Sequence, residues 1–301
     1  MNSLKIVILI GAVLALTLAI AAPVAAHFTM LLPGDDLEVT ADDYIATLGE
    51  TKTVTMLWGH PYEHVLLNFS VAPEVQLRDP EGGVTTLNPS ETTVEGVKSF
   101  DVSFTVEKLG DYIVAAKLVE EDHGLIDYTK AVIHCGEEAW VGWDAAVGQE
   151  VEIIPYTRPY GLEEGFVFTG KAILADGTPL AGAPVEIEVY HTKSVGDEVV
   201  AEAEERFPED PPMMFTRVTT TNSLGEFAYT LDEPGIWFIG VTKEVEGGLD
   251  QRAVMIVPVL EAFPAETPAE GGGASGWAYA ALAIAIVALL LGGISLARKR
   301  G

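Results

Sequence analysis

The sequence predicts an all-β protein followed by one C-terminal transmembrane helix, and three observations predict it. Short runs of β-branched and aromatic residues recur at roughly ten-residue spacing. The punctuation between them is Gly, Pro, Asn and Asp, the residues of tight bends. A single uncharged apolar segment, Trp277 to Ala297, closes the chain ahead of Arg298, Lys299 and Arg300.

The runs are TKTVTMLW (51–58), KSFDVSFTV (98–106), DYIVAAKLV (111–119), TKAVIHC (129–135), EVEIIPYT (150–157), FVFTGKAIL (166–174), APVEIEVYH (183–191), MFTRVTTT (214–221), EFAYTL (226–231), IWFIGVTKEV (236–245) and QRAVMIVPV (251–259). In KSFDVSFTV, Phe100, Val102, Phe104 and Val106 fall on one face, so that face is expected to pack inward. Turns are expected at DPEGG (79–83), KLGD (108–111), ADGTP (175–179), NSLGE (222–226) and DEPG (232–235). The one helical pattern is DEVVAEAEERF, 197–207. Many short strands and no βαβ alternation point to two Ig-like β-sandwiches. A Pro- and Gly-punctuated connector near 144–149 divides them into domains 27–147 and 148–260. Residues 261–276, including FPAETPAEGGGASG, lack periodicity and are expected to form a flexible stalk.

The two ends set the topology. Lys5, an apolar run and the small residues up to Ala26 have the layout of a cleavable export signal, residues 1–26. A retained signal anchor is the alternative, against which Pro23 and the Ala-rich end argue. Removal after Ala26 makes His27 the first residue. Trp277 to Ala297 has the length a bilayer core requires, and the basic cluster after it belongs on the cytoplasmic side. The expected location is therefore the cell membrane, spanned once, with the ectodomain outside and residues 298–301 in the cytoplasm.

Between the ends, 13 basic residues face 45 acidic ones, a net charge of −32 over residues 27–270. Such a surface repels phosphate backbones, which excludes nucleic acid as a partner, and it attracts cations. A solvating coat is the plainer explanation of most of these charges. Cys135 is the only cysteine, so no intramolecular disulfide forms and the fold rests on hydrophobic cores. The chain contains no Gly-x-Ser-x-Gly elbow, phosphate loop, dinucleotide fingerprint or HExxH, so it is not expected to be an enzyme.

The histidines carry the chemistry. WGHPYEH (58–64) ends a strand and offers His60 and His64 four residues apart. With Pro61 opening a helical turn, the two are expected near one face. A metal needs a third ligand, and a processed N-terminus supplies it: His27 would bring an imidazole and an α-amine from one residue. Nitrogen ligation of this kind favours Ni(II) or Cu(II), with Co(II) and Zn(II) less distinguished. His123, in EEDHG, is read as a solvated loop residue or an auxiliary ligand. His134, on AVIHC, is read as a core or edge histidine before a ligand, and His191 as the end of a strand. Cys135 is read as packing rather than nucleophile.

Five segments together resemble one known family: AHFTMLLP (26–33), WGHPYEH (58–64), DYTKAVIHCG (127–136), the run from Gly148 to Tyr190, and TNSLGEFAYTLDEPGIWFIGV (221–241). They look like the extracytoplasmic component of nickel and cobalt transport complexes, the NikM or NikK type of subunit. The resemblance implies binding of Ni(II) or Co(II) outside the membrane and delivery to an energy-coupling-factor type importer. It points at His27, His60 and His64, and it implies that the second domain is a carboxypeptidase-regulatory or Ig-like spacer without chemistry of its own. The competing expectation is a structural Ig-like surface protein that binds no metal.

Overall fold

The computed structural model describes residues 27–34 and 37–263. The export signal, most of the stalk and the apolar segment 277–297 lie outside the described residues. Among the described residues no helix is long and apolar enough to cross a membrane.

The first half of the chain forms β1 (Phe28–Pro33), β2 (Ile45–Ala46), β3 (Thr51–His60), β4 (Val65–Leu67), β5 (Glu74–Arg78), β6 (Val84–Leu87), β7 (Ser90–Val94), β8 (Val97–Thr105), β9 (Gly110–Glu120) and β10 (Leu125–Cys135). The second half forms β11 (Val151–Pro155), β12 (Leu162–Glu163), β13 (Val167–Leu174), β14 (Pro184–Tyr190), α1 (Lys193–Arg206), β15 (Arg217–Thr220), β16 (Glu226–Thr230), β17 (Gly235–Lys243) and β18 (Asp250–Leu260). The protein is all-β, as expected. Helix α1 begins four residues before the predicted 197.

Three sheets are stacked. The central one runs β15-β14-β17-β18-β10-β9-β5-β6, with β2 beside β10 and β12 beside β18. One outer sheet is β1-β3-β8-β7 with β4 on β3, and the other is β11-β13-β16. Each outer sheet packs on a different face of the centre. Along β10, Ala131, Ile133 and Cys135 enter the first core and Val132 the second; along β17, Ile236 and Phe238 enter the first and Trp237, Ile239 and Val241 the second. This is the period-two alternation of a strand covered on both sides. Phe100, Val102, Phe104 and Val106 all lie in the first core, where their shared face predicts them.

The expected break at 147–148 falls in the connector, yet one sheet crosses it. Strands β10 and β18 pair in parallel, Leu125 opposite Asp250 through Lys130 opposite Met255. The halves 27–147 and 148–260 therefore share their central layer instead of standing as two closed sandwiches. A buried ion pair reinforces the seam: Lys130 Nζ lies 2.8 Å from Glu152 Oε1, and Glu152 also accepts the Val147 and Gly148 amides.

The same parallel register separates the ends of the molecule. The β9–β10 turn, with His123, lies where β18 begins. The chain leaves after Leu260, about 33 Å away by strand rise.

Candidate functional site

The register of β1 on β3 builds the site. Phe28 pairs with Gly59, so His27, one residue before the strand, falls beside His60 at the strand's other edge. The two rings are 4.2 Å apart between centroids. The third member comes from the turn Glu121–His123 between β9 and β10, whose His123 ring is 4.7 Å from that of His27. Gly124, at φ 66°, closes this turn in the left-handed region. Trp58 forms the floor, fully buried, stacked against His27 at 5.6 Å and edge-on to His123 at 5.9 Å.

Gly59 allows this geometry. Its φ is 149°, and a Cβ there would lie 2.0 Å from the Val65 carbonyl oxygen. Gly59→Ala is expected to cost about 3 kcal/mol or more, because backbone would have to move and neighbouring His60 with it. Urea unfolding checks the loss.

His60 Nδ1 lies 3.1 Å from Glu63 Oε2. A carboxylate on one ring nitrogen fixes the tautomer and makes the other nitrogen, Nε2, the better donor to a metal. Glu63 was legible only as the third residue after His60 in HPYEH.

His64 is not brought to this cluster. Residues 61–64 form the loop of the β3–β4 hairpin, closed by the pairing of His60 with Val65, and not the helical turn that Pro61 suggests. His64 sits at φ 51°, in the left-handed region that few non-glycine residues adopt. Its Nδ1 is 2.8 Å from the His191 carbonyl oxygen and its Nε2 3.1 Å from Glu95. Both ring nitrogens are thus engaged, and the side chain is buried. Helix α1 packs over the same loop at Gly196, where a Cβ would meet the Glu63 carbonyl oxygen at 2.9 Å. Tyr62 stacks on Phe215 at 5.0 Å.

The remaining histidines have other settings. His134, at the far end of β10 from His123, bonds Asp111 at 2.7 Å and stacks on Tyr160 at 4.6 Å, while the Tyr160 hydroxyl donates to the same Asp111 oxygen. Burial pushes the Asp111 carboxyl above its usual range. His191 Nδ1 meets the Tyr62 carbonyl oxygen at 2.9 Å, and burial lowers its pKa. Cys135 is buried in the first core with its thiol pushed up by desolvation, a packing residue.

Among the described residues, no group of three or more His, Cys, Asp or Glu side chains is set out as a preformed metal centre. The rings of His27, His60 and His123 pack on one another at tilts of 53° and 61°. Joint ligation therefore requires them to rotate about their side-chain bonds. Sequence reasoning placed His27 and His60 together and ranked His123 second; the β9–β10 turn makes His123 the third member.

The fold and site define a layered β-sheet protein with an imidazole cluster at one end of its central sheet. The chain belongs to the family described as a domain of unknown function, DUF4198, whose model matches residues 24–244. No curated protein matches it. Among solved structures, it is similar to Salmonella α2-macroglobulin reacted with methylamine, with 12% identity and a TM-score of 0.26 over 78% of this chain and 15% of that one. A bacterial 1.5-MDa ice-binding adhesin shares 10% identity at a TM-score of 0.24, over 79% and 65% of the two chains. The ectodomain of mouse nectin-like molecule 4 shares 12% at 0.21, over 78% and 64%. The chain thus spans less than a sixth of the length of the macroglobulin.

Proposed function

We propose that this protein is a membrane-anchored extracytoplasmic accessory that captures Ni(II) or Co(II) and passes the ion to an energy-coupling-factor type importer. The observation that carries the reading is the meeting of His27, His60 and His123, three imidazoles from three segments far apart in sequence. Neutral imidazoles suit Ni, Co, Cu and Zn. The ion is cargo, so exchangeable ligands on turns and a chain end suit it better than a rigid cage.

Each part of the chain has a place in this reading. Removal of the signal after Ala26 gives His27 an α-amine that can bind the ion together with its ring. Glu63 holds the His60 tautomer. The acidic surface raises the local cation concentration. The resemblance of AHFTMLLP and WGHPYEH to the nickel and cobalt components supports the choice of metal, and Trp277 to Ala297 would keep the ectodomain close to the importer.

Calorimetric titration of the mature protein with Ni(II), Co(II), Cu(II) and Zn(II) tests the proposal. Saturable binding of one ion per chain is the expected result; only weak, non-saturating heats from surface carboxylates would sink it. An added Met before His27 removes the terminal amine from this position and is expected to weaken binding about tenfold or more, roughly 1.4 kcal/mol.

A further inference from the structure

Behind the imidazole cluster lies a buried charge network that the histidines do not explain. Arg252, near the start of β18, is 1% exposed. Its Nε donates to Asp127 Oδ1 at 2.9 Å, its Nη1 lies 3.5 Å from Glu186 Oε2, and its Nη2 donates to the His27 carbonyl oxygen. The guanidinium also lies over the Phe28 ring, 4.4 Å from its centroid. The other Asp127 oxygen accepts the Thr29 amide at 2.8 Å.

One Arg–Asp pair therefore grips three successive residues: His27 by its carbonyl, Phe28 by its ring face and Thr29 by its N–H. The β1–β3 ladder ends at Phe28 opposite Gly59, so His27 is held by contacts other than ladder pairing, the Arg252 fork among them. A chain end beyond its last ladder pair frays unless something ties it down. The network is also costly. Two carboxylates and a guanidinium removed from water are seldom worth more to stability than apolar side chains of the same volume, so conformational specificity is the better-attested use of such groups.

The fold makes room for the clamp. A Cβ on Gly240, in the neighbouring β17, would lie 2.9 Å from Arg252 Cδ and 3.0 Å from Phe28 Cε1. Arg252 lies outside the stretch 24–244 that matches the family model.

We infer that Arg252 is the positioning residue of the imidazole cluster: together with Asp127 it clamps the first residues of the processed chain and so presents His27 to His60 and His123. Only a planar guanidinium reaches Asp127, Glu186 and the His27 carbonyl at once; a lysine keeps the charge without the fork. The inference rests on the metal-capture reading for the purpose of the clamp, but not for its existence.

The test compares the full-length mature chain with Arg252→Lys and Gly240→Ala, without and with Ni(II). Hydrogen exchange followed by mass spectrometry reads the peptide 27–33 and, as an internal control, peptides from β9 and β10. Both variants are expected to lose protection in 27–33 while the β9 and β10 peptides keep theirs, and to bind Ni(II) about tenfold more weakly. Retained protection of 27–33 in both variants would overturn the clamp, as would an equal loss across the control peptides. If the wild-type chain binds no Ni(II) while the selective loss of protection occurs, the clamp stands and the metal reading fails.

Discussion

His60→Ala and His123→Ala are each expected to weaken Ni(II) or Co(II) binding about 100-fold, roughly 2.7 kcal/mol, whereas His64→Ala leaves affinity unchanged and lowers stability instead. The contrast follows from geometry. His60 and His123 each lie against the His27 ring, at 4.2 and 4.7 Å between centroids, and each would supply one of a small set of ligands. His64 spends both nitrogens inside the protein, on the His191 carbonyl and on Glu95. Its removal empties a buried side-chain site and leaves the partly buried His191 carbonyl without that partner, a loss of about 1–3 kcal/mol. Calorimetric titration and urea unfolding of the three variants read the two effects separately. Weaker binding in His64→Ala at unchanged stability would return the ligand set to the pair at four-residue spacing.

Stability is expected to fall as pH rises from about 5 to about 8, and Glu188→Gln to remove much of that fall. Glu188 lies on β14, 1% exposed, with one oxygen accepting the Thr216 hydroxyl. Desolvation pushes its carboxyl up to about 8, and the charges of Glu63 and Glu186 add to the shift. In the unfolded chain the group ionises near its ordinary value of 4.5. Between these values the folded protein holds a proton that the unfolded chain has lost. The group's contribution is thus complete below about 4.5 and is lost as pH climbs through the folded value.

The size is on the order of a few kcal/mol. Asp111 and Glu186 are shifted in the same direction by burial, so their contributions carry the same sign. Asp79, beside Lys108, and Glu50, which accepts the Thr47 amide, are shifted down, so their contributions are lost only at lower pH, while His191, lowered by burial, opposes the fall below its ordinary value of 6.5. Glutamine keeps the shape of a protonated glutamic acid and cannot ionise. Urea unfolding at pH 5, 6.5 and 8 is expected to show a flatter profile for the variant and a higher stability than wild type at pH 8. Parallel profiles would contradict the assignment.

The strands were legible because their pattern is local. Alternation in KSFDVSFTV put four side chains in the first core, and Gly and Pro marked the bends. The shared central sheet was harder to read because it depends on β10 pairing with β18 across more than a hundred residues. A trace of it was present: YIVAA in β9, IWFIGV in β17 and AVMIVPV in β18 are continuous apolar runs, and AVI in β10 is a shorter one, the mark of strands covered on both faces, not on one.

The site divides in the same way. His27 and His60 group together in the sequence because two imidazoles leave a metal short of a ligand and a processed N-terminus would supply it; the β1–β3 register that brings them side by side carried no sequence signal. His64 was misplaced because four-residue spacing implies a shared face only in a helix, and here it spans a hairpin loop ending at positive φ. His123 lay in an acidic turn that only β9–β10 pairing carries to the cluster. Arg252 gave no motif at all, since its partners are 66, 125 and 225 residues away.

The central claim is that one divalent ion joins the three imidazoles. Titration of the mature protein with paramagnetic Co(II), read by NMR of ring-labelled histidines, addresses it most directly. The account predicts that the His27, His60 and His123 rings show the large contact shifts of ligated imidazoles and saturate together at one equivalent, while His64, His134 and His191 show only small through-space shifts. Saturation at a different set of rings, or shifts that never saturate, would contradict it.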